Sequence, residues 1–207
     1  MAASQVKRMT AEQRREQLLD VLTTLVLEEG YGAASIDRIA RDAGIARTVV
    51  YAHFGNLEGM QRALVDRTEH RALRTIRSIV PDMPLGEDPD AILVDALRDL
   101  LTRVRDDRDT WRLALLPIEG APAELRGVIG RAKKAVSDLL EPVITWGIGA
   151  RGGPTNLDAE LFTRTLITLA EDAARLVLSD PDRFPPDRIA DFTATLLANV
   201  RRGDAVP

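Results

Sequence analysis

The chain has 207 residues, of which 45% are hydrophobic and only 4% aromatic, with a net charge of −4 at pH 7. The length allows one large domain or two small ones, with a core that aliphatic side chains must fill. There is no cysteine, which excludes disulfides, thiolate metal sites and cysteine nucleophiles.

Thr10 opens the first predicted helix, where its hydroxyl can accept a backbone N–H and Gln13 three residues on completes a capping-box pattern. Leu18, Leu22, Leu25 and Val26 then recur at helical spacing. Gly30-Tyr31-Gly32 closes this helix, and Ser35 is expected to cap the next. In that second helix Ile36, Ile39 and Ala40 are spaced to face inward. Asp42-Ala43-Gly44 makes a turn, because glycine tolerates the left-handed backbone that ends a helix. A short helix follows over 47–53, with Val50 and Phe54 directed inward. From about 57 to about 80 a longer helix is predicted, with Met60, Leu64, Leu73, Ile76 and Val80 on an apolar stripe.

Residues 81–89 hold three prolines and a glycine and are the best linker candidate. Asp88-Pro89 reads as an N-cap followed by proline at the first helical position, and Leu93, Leu97, Leu100 and Val104 carry that helix. A shorter helix holds Trp111, Leu115 and Leu116 and stops before Pro117. Pro122 starts a long one through Trp146, and Pro142 inside it is expected to bend it or break its bonding locally. Thr155-Asn156 is expected to cap a helix over 157–179, and a last helix runs from about 186 to about 201 with Ile189, Phe192, Leu196 and Val200 aligned. No segment alternates with strand period. The expected fold is all-α with about nine helices, divided into residues 10–56 and 57–207.

A helix, a tight turn and a second helix form a helix-turn-helix, whose second helix can enter the DNA major groove. Exposed side chains near the start of that helix reach base edges: Arg47 to guanine or a phosphate, Thr48 to a base edge or phosphate, Val49 to a thymine methyl. Ser35 stands at a helix N-terminus, where its hydroxyl and the free N–H groups suit a phosphate. The charge supports this only modestly. Residues 1–80 carry 12 basic and 10 acidic side chains, while 81–207 carry 16 and 22. A helical pair with a glycine turn is also common as plain scaffolding.

The stretch Gly44, Tyr51, His53, Phe54, Gly55, Glu58, Gly59, Met60, preceded by Leu18, Leu19, Leu22, Gly30 and Tyr31, resembles the N-terminal signature of TetR-family transcriptional regulators. The resemblance covers roughly residues 10–65. It implies an N-terminal three-helix DNA-binding domain, and a C-terminal helical half that binds a small effector and forms a homodimer. It also implies that Tyr51 and His53 bond the DNA backbone. Three positions depart from the family pattern: Ala46 in place of a capping Ser or Thr, Val49 in place of Ser or Thr, and Leu57 in place of Lys. Fewer electrostatic contacts are therefore expected.

In the C-terminal half no phosphate loop or catalytic signature occurs, and neither Asp106-Asp107 nor Glu171-Asp172 makes an acid–base dyad. No catalytic residue and no cofactor are expected. With two histidines and no cysteine, no metal site is expected either. Trp111, Leu115, Trp146, Phe162 and Leu166 are candidates to line an effector cavity, with Arg112, Glu119, Thr165 or Asp172 as polar contacts. The equal alternative is that the aromatic residues are ordinary core. The last two helices are apolar over more than one face. Leu169, Ala173, Leu196 and Val200 are therefore the expected dimer contacts, against a helix buried within one copy.

The expected function is a homodimeric, ligand-responsive regulator that binds a pseudo-palindromic double-stranded DNA operator. It would be a repressor released by a small apolar or amphipathic effector. The rivals are a helical enzyme or carrier with a vestigial DNA-binding domain, and a regulator controlled by a protein partner. The polar start MAASQVKRMT lacks a signal-peptide pattern, and no stretch reaches the roughly 18 apolar residues of a membrane span. The expected location is the cytoplasm, at the nucleoid.

Overall fold

Capping residues set the starts of most helices in this chain. A computed structural model describes residues 9–81, 88–121, 124–154 and 156–199, with the backbone alone for 124–130. Among these residues there are nine α-helices, one 3-10 turn and no strand.

Helix α1 spans Ala11–Glu29, and the Thr10–Gln13 capping box forms in both directions. A 3-10 turn at Tyr31–Ala33 leads to α2, Ile36–Asp42, whose Ser35 hydroxyl accepts the Arg38 N–H. Helix α3 is Arg47–Phe54 and α4 is Leu57–Ile79. Helix α5, Pro89–Asp106, begins as expected with Asp88 as cap and proline at the first position. Helix α6 is Arg108–Leu115, and α7 is Glu124–Ala150, which carries through Pro142. Helix α8 is Ala159–Ser179 and α9 is Pro186–Asn199. The start of α8 differs from expectation: Asp158, not Thr155-Asn156, caps it by accepting the Leu161 N–H at 3.0 Å. Thr155 lies outside the described residues.

The chain forms two compact units, and they do not follow a division at 56/57. The first unit holds residues 1–67 together with 117–125; the second holds 68–116 and 126–207.

In the first unit Leu18, Leu22, Ile39, Val50, Met60 and Leu64 are fully buried. The early part of α4 is fastened to α1 by Arg67. Its guanidinium donates to Asp20 at 2.7 Å, to the Thr23 hydroxyl at 2.7 Å and to Glu16 at 3.2 Å, and the side chain is only 10% exposed. The segment after α6 joins the same unit through the backbone, where the Tyr31 N–H donates to the Glu119 carbonyl at 2.9 Å. Gly120 lies so close that a Cβ there would stand 3.1 Å from the Gly32 nitrogen, and its φ is +71°. Both features demand glycine.

The second unit packs α5 against α8 and α9. Its buried cluster is Leu101, Val104, Trp111, Ala173, Ala174, Val177 and Leu178. On α5 Val104 is buried and Leu97 and Leu100 pack against the cluster as expected, while Val94 and Leu101 join them in the buried positions and Leu93 does not. Ion pairs tie the periphery: Arg151 to Asp90 at 2.6 Å, and Lys133 to Glu171 at 2.9 Å.

Candidate nucleic-acid interface

Helix α3 is held from below and left open above. Ile39 and Ala40 on α2 and Val50 on α3 are sealed in the core. The connecting turn is fixed by backbone bonds from Gly44 N–H to the Arg41 carbonyl and from Ile45 N–H to the Ala40 carbonyl. Arg47, Thr48 and Tyr51 point to solvent, and Tyr51 is 51% exposed. At about 100° per residue Thr48 lies nearly opposite Val50, while Arg47 and Tyr51 flank the buried side. Ala46 provides no side-chain cap, as its chemistry requires, so the first N–H groups of α3 carry no side-chain bond.

The remaining candidates are placed less freely. Val49 and His53 are half-buried. The His53 carbonyl accepts a bond from Arg15 at 3.2 Å, and its ring tilts against Phe54 at 6.1 Å. Phe54, expected in the core, is half-buried and covered by the Arg15 guanidinium 4.6 Å from its ring centre. A cation–π lid replaces an aliphatic one there. Ser35 is exposed, and while its oxygen accepts the Arg38 N–H its O–H can still donate outward.

The corner after α3 shows a requirement that the spacing did not reveal. A Cβ at Gly59 would lie 2.3 Å from the Phe54 carbonyl oxygen, so only glycine lets α4 leave the recognition helix this tightly. Asn56 fixes the same corner by accepting the Gly59 N–H at 2.7 Å.

Most cations near this face are already paired. Arg38 bonds Glu29 at 2.9 Å and Asp42 at 2.8 Å, which holds its guanidinium pKa above the ordinary value. Arg62 pairs with Glu58 and Arg47 with Asp37. The positive field is thin, in line with the small basic excess in the sequence.

In the second unit the five candidate effector residues fall into two groups. Trp111 is 5% exposed inside the α5–α6–α8 core, and Leu115 packs against that core. Phe162 and Leu166 are half-buried near the start of α8, and Trp146 is half-buried on α7. Phe162 precedes the core residue Ala173 on α8 by roughly 16 Å, at about 1.5 Å per residue. None of the five lines the open groove of about 790 Å³ between α5 and α9, which Asp88, Asp90, Val94, Arg98 and Leu197 border. Of the polar candidates, Thr165, Asp172 and Glu119 are exposed and Arg112 is half-buried.

Thr163 is the polar group that the sequence did not single out. It is fully buried, and its hydroxyl has no hydrogen-bond partner among the described residues. Its neighbours Thr165 and Thr168 bond back to their own helix at 2.9 and 3.0 Å. A buried hydroxyl left unpaired costs stability unless something else meets it.

Of the expected dimer contacts, Leu169 is 61% and Leu196 50% exposed. Ala173, one turn beyond Leu169 on α8, is instead buried in the core of a single copy, packed in the cluster with Leu101 and Val104. Val200 lies outside the described residues. Leu161 on α8 and Phe192 on α9 are each 62% exposed as well. Among the described residues no three of His, Cys, Asp and Glu gather as a metal site, and no helix is long and apolar enough to cross a membrane.

Comparisons with known proteins bear on both units. Residues 18–64 match the family described as bacterial regulatory proteins, tetR family. The fatty acid metabolism regulator protein of Bacillus subtilis is 22% identical over 165 residues, covering 79% of this chain and 84% of that protein. The fatty acid degradation regulator FadR from Bacillus halodurans has the same fold, with a TM-score of 0.72 at 19% identity over 95% of this chain and 99% of that one. FadR from Bacillus subtilis, solved in complex with stearoyl-CoA, gives a TM-score of 0.67 at 18% identity over 93% and 99%.

Proposed function

We propose, for a chain that belongs to the tetR family of bacterial regulatory proteins through residues 18–64, that it is a homodimeric regulator of transcription acting from the cytoplasm, at the nucleoid. Each copy sets α3 into a major groove of a pseudo-palindromic operator. One observation carries this reading: Arg47, Thr48 and Tyr51 stand exposed on a helix that the fully buried Val50 anchors in the core. Folding does not need those side chains, and a helix of this kind fits the groove. Arg47, Thr48 and Val49 read bases, while Ser35, Tyr51 and His53 position the backbone. Two copies are supported by the exposed Leu161 and Leu169 on α8 and Phe192 and Leu196 on α9, since large apolar side chains left open on two helices are stabilised when covered.

The effector is an amphipathic small molecule bound within the second unit, and the protein acts as a repressor that it releases. Trp146, Phe162 and Leu166 provide apolar surface, and the buried Thr163 hydroxyl provides a polar contact. The stearoyl-CoA held by the Bacillus subtilis relative supports a ligand with a long acyl chain over a sugar or nucleotide alone.

Binding sites selected from random duplex DNA with the purified chain should converge on a two-fold repeat, and light scattering should give a dimer. Selection of no sequence would sink the DNA reading, and a monomer at micromolar concentration would sink the dimer. A long-chain acyl-CoA should perturb the fluorescence of the two tryptophans and weaken operator binding along one titration curve. Tight binding without any change in operator affinity would reject it as effector.

A further inference from the structure

Arg47 opens α3, and Asp37 stands in the first turn of α2. Arg47 Nη1 donates to Asp37 Oδ1 at 2.8 Å, with the two side chains 65% and 69% exposed. Such a pair contributes little to folding, because water and salt screen it and both side chains lose rotamer freedom. It also adds nothing to phosphate attraction: the carboxylate cancels the charge that Arg47 would offer and brings a negative group toward the DNA. What remains is its effect on geometry. A guanidinium presents its donors in a planar fork. One bond at Nη1 fixes that plane and leaves Nε–H and Nη2–H side by side, the pair that matches O6 and N7 of guanine. Arg38 does not compete for Asp37, since Glu29 and Asp42 hold it.

The geometry points to Asp37 as a positioning residue for base reading, holding the Arg47 guanidinium ready for a guanine before DNA arrives. This rests on the reading of α3 as the groove-entering helix. Orienting a long side chain in advance removes entropy that binding would otherwise have to overcome.

The test is selection from random duplex DNA with the full chain and with Asp37→Asn, Arg47→Lys and the double variant, followed by affinities for the selected and for unrelated sequences. The unmodified chain should select a G·C pair in each half-site, and Arg47→Lys should lose it. Asp37→Asn should lose the same preference, by about 5- to 150-fold, the range for one bidentate pair. It should also bind unrelated DNA more tightly, because a negative charge is gone. The double variant should lose no more than either single one, and Asp37→Glu should keep the preference. An unchanged unfolding midpoint for Asp37→Asn separates this from misfolding. If Asp37→Asn tightens binding to every sequence and keeps the guanine preference, Asp37 is only a charge shield and the inference is overturned. It is equally overturned if Arg47→Lys changes no position. Failure of the unmodified chain to select any sequence is a different result: it removes the DNA reading, and the inference with it.

Discussion

Leu22 on α1 and Leu169 on α8 are the same side chain in the same kind of helix, yet one is fully buried and the other 61% exposed. The two units differ in this way throughout. In the first, the only exposed large apolar side chains among the described residues are Met9 at their edge and Tyr51 on the recognition face. Its charged residues work inward, with Arg67 bonding three residues of α1 and Arg15 covering Phe54. In the second, Leu157, Leu161, Leu169, Phe192 and Leu196 are open to solvent, while the Thr163 hydroxyl is closed in without a partner among the described residues. The first unit is finished as a folded body and exposes what it needs for a polar, charged surface such as DNA. The second has apolar surface outside and an unmet polar group inside, the pattern of a body completed by other molecules.

The contrast is sharpest in a pair of matched truncations. Leu22→Ala removes fully buried methyl groups and leaves a cavity, so it should cost about 2–5 kcal/mol in denaturant unfolding. Leu169→Ala should change the stability of a dilute sample by no more than about 0.5 kcal/mol. At high protein concentration its deficit should grow, because the exposed leucine is then covered by a second copy. Equal losses for the two variants at all concentrations would erase the distinction between the units.

Charged residues offer the next comparison. Arg67→Met strips four hydrogen bonds, made to three residues of α1, from a side chain that is 10% exposed. About 1.5–3 kcal/mol should be lost, the scale of bonds to charged groups. Arg164→Met breaks a pair with Glu160 in which both side chains are more than 60% exposed, and the change should stay below about 0.5 kcal/mol. A large effect at Arg164 would mean that α8 uses its surface charges as α1 does.

These differences also explain how much could be read from the sequence. The Thr10–Gln13 box, the Ser35 cap, the turn at Gly44 and the direction of Val50 are local, each set by residues within a few positions, and they are found where the pattern puts them. The reach of Arg67 to α1 and of Glu119 to Tyr31 spans many residues and leaves no periodic mark. In the second unit periodicity identifies apolar faces but not the neighbours they meet. Helices α5 and α8 carry apolar residues around much of their girth, so the choice of Val94 over Leu93, or of Ala173 for the core and Leu161 for the outside, depends on packing that a single sequence does not express. Residue type alone groups Trp111 with Phe162, although one is sealed in the core and the other half-buried near the start of α8.

Glycine substitutions separate the units on a smaller scale. Gly120→Ala should cost about 1–2 kcal/mol, because its φ of +71° is unfavourable for a side chain and the new Cβ would stand 3.1 Å from the Gly32 nitrogen. Gly149 lies within α7 with nothing within 4 Å of an added Cβ. Gly149→Ala should therefore stabilise by up to about 1 kcal/mol through helix propensity alone. Hydrogen exchange at the Tyr31 amide, which the Glu119 carbonyl accepts, should accelerate in Gly120→Ala and not in Gly149→Ala. Unchanged exchange in both would show that segment 117–125 is not fastened to the first unit.

The smallest effect appears only in alkali. Both tyrosines of the chain lie in the first unit, and Tyr31 is 4% exposed. Burial disfavours the charged phenolate and pushes its pKa above the ordinary value near 10. As the pH rises past about 10 the unfolded chain releases this proton while the folded chain still holds it. The unfolded state then binds fewer protons, so stability falls with rising pH, by at most about 1.4 kcal/mol per pH unit for one group. Below pH 10 the contribution of neutral burial is fully present and the profile is flat with respect to this residue. Tyr31→Phe keeps the ring and removes the proton, so its unfolding free energy should fall less steeply between pH 10 and 11 than that of the unmodified chain, with little difference at pH 7. Urea titrations followed by helical circular dichroism across that range measure both slopes. If they are the same, Tyr31 ionises in the folded chain as easily as in the unfolded one, and the junction after α1 is open to water rather than sealed like the core beside it.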